Sequence, residues 1–315
     1  MTRDAREPAY AALARTGALS RRAEASLAHL ECCNLCPRRC GVDRQAGELG
    51  DCETGRRARV SSAGPHFGEE TPLTGRSGSG TIFFSGCNLN CSYCQNYGIS
   101  QMGEGREAEP EELAASMLAV QALGCHNLNL VTPTHATPQI LEALVLAVDR
   151  GLRIPIVHNC GGYESVSTLE LLDGVVDIYM PDIKYMDHEP AARYSRAPDY
   201  PQVVRAAIRE MHRQVGDLEI DERGVARRGL LVRHLVLPDG LAGTRAAMRF
   251  LATEISSLTY VNVMNQYRPC HEVHEDGVLG RRISDAEYRQ AVEEARAAGL
   301  TRLDEPLSRL RVRIR

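Results

Sequence analysis

Eleven cysteines stand in a chain of 315 residues, and eight of them fall into two groups. Cys87, Cys91 and Cys94 are separated by three and then two residues. That spacing lets three thiolates wrap one corner of an iron–sulfur cubane, each on a different iron. The fourth iron then has no protein thiolate, so a small ligand can take its open position, which a four-cysteine electron-transfer site does not offer. The competing reading of the same spacing is a structural zinc knuckle closed by a distant histidine.

The second group lies upstream. Cys33, Cys36 and Cys40, with Cys52 twelve residues later, supply four further thiolates, and the adjacent Cys32 leaves the register open. Tetrahedral zinc and an auxiliary iron–sulfur cluster both fit. The Cys, Gly, Pro and Arg-rich segment from Cys32 to Gly55 has little apolar surface with which to order itself, and a metal would supply that stabilisation. Arg38, Arg39 and Arg44 either neutralise the thiolates, meet a protein partner, or form a solvated face. In a reducing compartment, ligation explains the crowding better than disulfides do. Cys125, Cys160 and Cys270 stand alone and are expected as small buried hydrophobes.

The elements that must hold these residues alternate. Strands are expected at Thr81–Phe84, Leu128–Val131, Ile154–Val157, Val176–Met180, Leu230–Leu237 and Tyr260–Met264. Helices are expected at Pro110–Leu123, Thr137–Gly151, Ser165–Leu172, Tyr200–Val215, Gly243–Leu258 and Asp285–Ala298. Pro110 followed by Glu111 and Glu112 suits a helix start, where orphan amides and the helix dipole favour acids. Strands apolar on both faces and separated by helices form a parallel sheet covered by helices. Six such units, with polar residues at the strand ends, point to an α/β fold: a partial (β/α)6 barrel of the TIM type with an N-terminal cysteine-rich metal-binding module, the alternative of the same periodicity being an open doubly wound sheet. The expected organisation is a helical lead over 1–31, the cysteine-rich module and a connecting segment over 32–79, the barrel over 80–283, and a helix and tail over 284–315.

The loop Cys87-x3-Cys91-x2-Cys94 after the first strand, with Tyr93 before its last cysteine, resembles the radical S-adenosylmethionine superfamily. The order of that loop, the Cys33-x2-Cys36-Pro37-Arg38-Arg39-Cys40 segment, Val131-Thr132-Pro133-Thr134-His135 and Val263-Met264-Asn265-Gln266-Tyr267-Arg268-Pro269 is similar to the pyruvate formate-lyase activating enzyme-like, or PflX-like, iron–sulfur proteins, over about residues 30 to 300. The resemblance implies a [4Fe–4S] cluster on Cys87, Cys91 and Cys94, and S-adenosylmethionine chelated to its open iron. It implies a 5′-deoxyadenosyl radical that abstracts hydrogen, and an external low-potential electron donor. Where activating enzymes carry Gly-Gly-Glu to receive the methionine ammonium, this chain has Thr132-Pro133-Thr134-His135. Thr132 and Thr134 are then the hydroxyl candidates, and the plain alternative is a strand-to-helix turn in which Thr137 caps the helix. Asp182 and Lys184 match an Asp-x-Lys segment and share one side of an extended strand end. Lys184 would meet the methionine carboxylate and Asp182 would orient a polar substrate, a cation or the ribose; the plain alternative is a surface ion pair between the two. Arg233 and Asn159 would face the barrel mouth, with His234 turned outward or behind the contacting residues; His271 is the candidate for contact with adenosine, and a structural hydrogen bond is the equal alternative.

The substrate implied is a glycine in a protein or peptide partner, as in activation of glycyl-radical enzymes. Radical modification of a small molecule or peptide, and a non-catalytic scaffold or electron-transfer protein, are the alternatives. A formal charge of -4, from 37 basic and 41 acidic residues, with no Trp and 4 Phe, gives no reason to expect nucleic acid. The opening Met1-Thr2-Arg3-Asp4 lacks a signal peptide's apolar stretch, and no apolar run approaches membrane-spanning length, so a cytoplasmic location without membrane contact is expected.

Overall fold

The structure is a computed structural model that describes residues 7–304; the opening tetrapeptide and the tail beyond 304 lie outside the described residues. Its strands are β1 (Ala58–His66), β2 (Ser79–Phe84), β3 (Arg106–Ala108), β4 (Leu128–Val131), β5 (Ile156–Cys160), β6 (Ile178–Pro181), β7 (Glu219–Ile220), β8 (Ala226–Leu235) and β9 (Tyr260–Met264). The sheet runs β3-β1-β2-β4-β5-β6-β8-β7, with β9 also on β8. β2, β4, β5, β6, β8 and β9 are parallel neighbours in that sequence. They overlap the six expected strands, with β5 and β6 beginning two residues later and β8 four residues earlier than expected, and every residue of β4, β5 and β6 is buried, as strands covered on both faces must be. The arc does not close: β9 and β2 are not paired, and β1 lies antiparallel on the outer side of β2.

β1 was not expected. Its sequence, Ala-Arg-Val-Ser-Ser-Ala-Gly-Pro-His, has too little apolar alternation to announce a strand, and mostly exposed residues suffice because it lies near the sheet's edge. The segment read as a connector therefore enters the sheet, pairing Val60 with Phe84 and His66 with Ser79.

Helices cover the outer face. Pro110–Ala122 begins with a capping box in which Glu109 and Glu112 each take the other's backbone N–H, and Asp285–Ala297 begins with the same device from Ser284 and Glu287. Thr137–Asp149 starts without a side-chain cap; the Thr137 hydroxyl instead donates to the Thr134 carbonyl at 3.0 Å, so the expected Thr137 cap is not formed. The expected helix 243–258 is Thr244–Phe250 followed by a π turn over Leu251–Ile255, and His188–Ser195 adds a helix the periodicity did not show. The N-terminal lead folds as Tyr10–Arg15 and Ala18–Leu27. It is tied to the N-terminal ends of β5 and β6 by Ala9 N–H to Asp177 at 2.7 Å and by the Tyr10 hydroxyl to the Ile154 carbonyl at 2.9 Å. No described helix is long and apolar enough to cross a membrane.

Candidate active site

β2 ends in a loop that carries the cysteine triad. The turn out of the strand needs Gly86: its φ is +85°, and a Cβ there would lie 2.3 Å from the Cys52 carbonyl oxygen. The loop is fixed from several sides. The Ser85 hydroxyl donates to the Glu104 carbonyl at 2.6 Å, Asn88 Nδ2 to the Tyr163 carbonyl at 2.6 Å, and Gln101 Nε2 to the Cys91 carbonyl at 2.8 Å. Tyr93 is buried edge-on to Tyr185 and Tyr267, an apolar plug behind the cysteines.

Polar donors reach the sulfurs. Ser195 Oγ donates to Cys91 Sγ at 3.0 Å and the Leu89 amide to Cys87 Sγ at 3.3 Å, while Cys94 Sγ contacts Ser100 Oγ at 3.2 Å. Burial pushes the Cys87 and Cys91 thiols well up, and the Lys184 ammonium pulls the other way. Free, these groups hold their protons, whereas bound to a metal they become the thiolates those donors suit. The three cysteines open onto one cavity of about 620 Å³. The donor set and the shared space fit a cluster held at one corner.

Asn159, Asp182, Lys184, Arg233 and Thr132 line the same cavity, so five of the residues singled out from sequence are brought to one place. Asp182 joins two cations: Lys184 Nζ donates to Oδ2 and Arg233 Nε to Oδ1, each at 2.8 Å, and Arg233 Nη2 donates to Asn159 Oδ1 at 2.7 Å. Burial alone would raise the Asp182 carboxyl, but Arg233 and Lys184 outweigh it and hold it below the usual range. Asp182, Lys184 and Arg233 by themselves carry one net positive charge, which the Glu69 and Glu70 carboxyls on the same cavity oppose. Thr132 adopts a left-handed φ of +59° at the end of β4.

Two expected contacts are turned elsewhere. Thr134 sits in a short helical turn that carries its hydroxyl to Glu164, so it does not line the cavity. His271 stacks on Tyr97 at 4.9 Å and hydrogen-bonds Gln101 Oε1 at 2.9 Å, also outside the cavity wall; a long loop after β9 sets its position. His234 is buried against the helix layer, between the Ile183 carbonyl and Thr244 Oγ1 at 2.9 Å each, as its parity in β8 requires. Cys125, Cys160 and Cys270 are buried as expected, and Cys160 Sγ lies within 4.8 Å of donor atoms of His158 and Glu164.

Glu69 and Glu70 were missed. They follow β1 and line the cavity, and each has one buried carboxylate oxygen without a hydrogen-bond partner. Glu70 Oε1 accepts from Asn262 Nδ2 at 2.9 Å across 192 residues of sequence. Burial raises the Glu70 carboxyl, with Arg233 opposing. A pair of acids between a strand and a short turn carries no local signal that it will face a cavity. A larger hollow of about 920 Å³, beside Thr244–Phe250 and Asp285–Ala297, contains none of these strand-end groups.

Residues 81–217 match the Radical SAM superfamily. An uncharacterised protein of Methanocaldococcus jannaschii is 32% identical over 271 residues, covering 84% of this chain and 74% of that protein. A pyruvate formate-lyase-activating enzyme of Clostridium pasteurianum is 30% identical over 113 residues, 34% of this chain and 46% of that one. Among solved structures, HydG, a maturase of the [FeFe]-hydrogenase, has the same fold at a TM-score of 0.50 and 17% identity, over 70% of this chain and 49% of HydG. The chain thus spans about half the length of the activating enzyme and of HydG. With its cysteine loop at the end of the first parallel strand and the match running from β2 through β4, β5 and β6, the chain belongs to the radical SAM superfamily, whose enzymes use a [4Fe–4S] cluster and S-adenosylmethionine.

Proposed function

We propose that Cys87, Cys91 and Cys94 hold the [4Fe–4S] cluster and that the cavity beside them binds S-adenosylmethionine for hydrogen-atom abstraction from a substrate. The observation that carries this reading is the opening of all three thiols onto one cavity with the Asp182–Lys184–Arg233 group. When bound and reduced, the cluster supplies the electron that cleaves S-adenosylmethionine to methionine and a 5′-deoxyadenosyl radical, the hydrogen-abstracting species.

The chain's own residues bind and orient. The Lys184 ammonium and the Arg233 guanidinium receive the methionine carboxylate, and Asp182 fixes both cations so that neither must be ordered on binding. No acid stands at Thr132-Pro133-Thr134-His135, so the β4 end at Thr132, through its hydroxyl and backbone carbonyls, receives the ammonium. Tyr93, Tyr185 and Tyr267 exclude water behind the cysteines.

For the substrate, partial similarity to the activating enzyme and the unpaired β9–β2 side of the arc support a glycine presented by a protein partner. A second reading rests on Glu69 and Glu70: two unpartnered buried carboxylate oxygens suit a small molecule or peptide group rich in N–H donors. Anaerobic reconstitution followed by dithionite and S-adenosylmethionine tests the core reading. We expect 5′-deoxyadenosine from the wild type and none from Cys91→Ala with unchanged circular dichroism; equal product from both would overturn it. Glu70→Gln separates the substrate readings, since it should impair turnover of an N–H-rich small molecule and leave modification of a protein glycine unchanged.

A further inference from the structure

The N-terminal cysteines also converge. Cys33, Cys36, Cys40 and Cys52 line one small cavity whose wall includes Arg44 and His135, and three of the four are buried. The packing is close: a Cβ on Gly50 would lie 2.7 Å from Cys40 Sγ.

Arg44 makes an independent demand. It is 1% exposed and permanently charged. Its donors go to the Gly55 carbonyl at 3.2 and 2.9 Å, the His135 carbonyl at 2.9 Å and Cys33 Sγ at 3.9 Å. Among the described residues no carboxylate pairs with it. Carbonyls offer dipoles, but a buried guanidinium needs a compensating anion. Four thiolates on a divalent ion, or on an iron–sulfur core, leave a net negative centre that meets this need.

We propose that Cys33, Cys36, Cys40 and Cys52 form a second, negatively charged metal centre that is neutralised by Arg44 and braces the loop carrying the cysteine triad. The brace has two arms. Arg44 holds the His135 carbonyl, and His135 Nε2 hydrogen-bonds the Ser85 carbonyl at 2.9 Å, two residues before Cys87. Arg38, in the turn between Cys36 and Cys40, donates to the Asn88 carbonyl at 2.9 Å and the Ser195 carbonyl at 3.1 Å, and the Ser195 hydroxyl donates to Cys91 Sγ. A metal that fixes this turn fixes both arms.

The shared chemistry is four-thiolate ligation of zinc or of an iron–sulfur core. Among the described residues, His158, Cys160 and Glu164 are the group with three donor atoms within 4.8 Å of one another, so the four thiols stand wider. Cys40 Sγ also contacts Asp51 Oδ2 at 3.7 Å, and the wide spacing of the set suits an iron–sulfur core better than a single zinc ion.

The metal assignment is independent of the reading given to the triad, because its test removes the triad. Full-length protein with Cys87, Cys91 and Cys94 all changed to Ala is made anaerobically with zinc and iron supplied, then measured for metal content and visible absorption. We expect about one zinc per chain or about four irons with sulfide-to-iron absorption, which identifies the core. Adding Cys36→Ser and Cys52→Ser should abolish either. No metal in the folded triad-free protein overturns the proposal. Should that protein fail to fold, the wild type is compared with Cys36→Ser/Cys52→Ser, where equal metal content overturns it. For the brace, Arg38→Ala and Arg44→Gln in the wild-type background should speed chelator removal of iron from the triad by about tenfold. An unchanged rate refutes the brace.

Discussion

Asp182→Asn puts the cavity's electrostatics to a quantitative test. The carboxylate takes Lys184 Nζ and Arg233 Nε at 2.8 Å each, and the side chains of Asp182, Lys184 and Arg233 are 14, 17 and 19% exposed. Removing one partner of a fully buried ion pair costs ~3–5 kcal/mol because the other charge is stranded. Here two cations are stranded but each retains some solvent, and Arg233 keeps Asn159, so we expect a loss of about 2–4 kcal/mol. The assay is urea unfolding under anaerobic conditions for Asp182→Asn, Arg233→Gln and the double variant. The double-mutant cycle should return a coupling of about 1–3 kcal/mol. The sign with pH follows from the carboxyl being held below its usual range: its contribution is present above the unfolded-state pKa and is lost as pH falls through the folded value. Asp182→Asn should therefore flatten the acid limb of the stability curve. A loss below about 0.5 kcal/mol, the scale of an ordinary surface substitution, would refute the view that Asp182 organises the two cations.

Two further outcomes follow from the geometry. Gly86→Ala combines φ of +85° with a Cβ 2.3 Å from the Cys52 carbonyl, while Gly41→Ala has φ of +69° and no neighbour within 4 Å. The first should cost at least about 2 kcal/mol and loosen both cysteine groups, the second about 1 kcal/mol from strain alone; equal melting shifts would show that the Cys52 contact does not matter. Burial holds His135 and His234 down to about 4 despite their bonds to the Ser85 and Ile183 carbonyls. The unfolded chain binds those protons first, so stability should drop as pH falls from about 6.5 towards 4, by up to ~3 kcal/mol for each histidine. A urea midpoint as high at pH 4.5 as at pH 7 contradicts this.

The sequence by itself determined the six parallel strands and the site of the cysteine loop. The apolar runs Ile154–Val157 and Val176–Met180 marked β5 and β6 but began two residues early, and the buried His158 and Asn159 lengthen β5 beyond its apolar part; cysteine spacing along a few residues is a local property that survives folding unchanged. Alternation also placed Asp182 with Lys184 and turned His234 away from Arg233, because side-chain parity in an extended strand is fixed by the backbone. Tertiary structure decided the rest. Thr134 and His271 left the cavity because loops, which carry no period, aimed them at Glu164 and Gln101. Glu70 joined it through Asn262, and Arg44 reached His135, across 192 and 91 residues. Those partners are chosen by the burial of a charge or a polar oxygen, a requirement that exists only once the chain has closed around it.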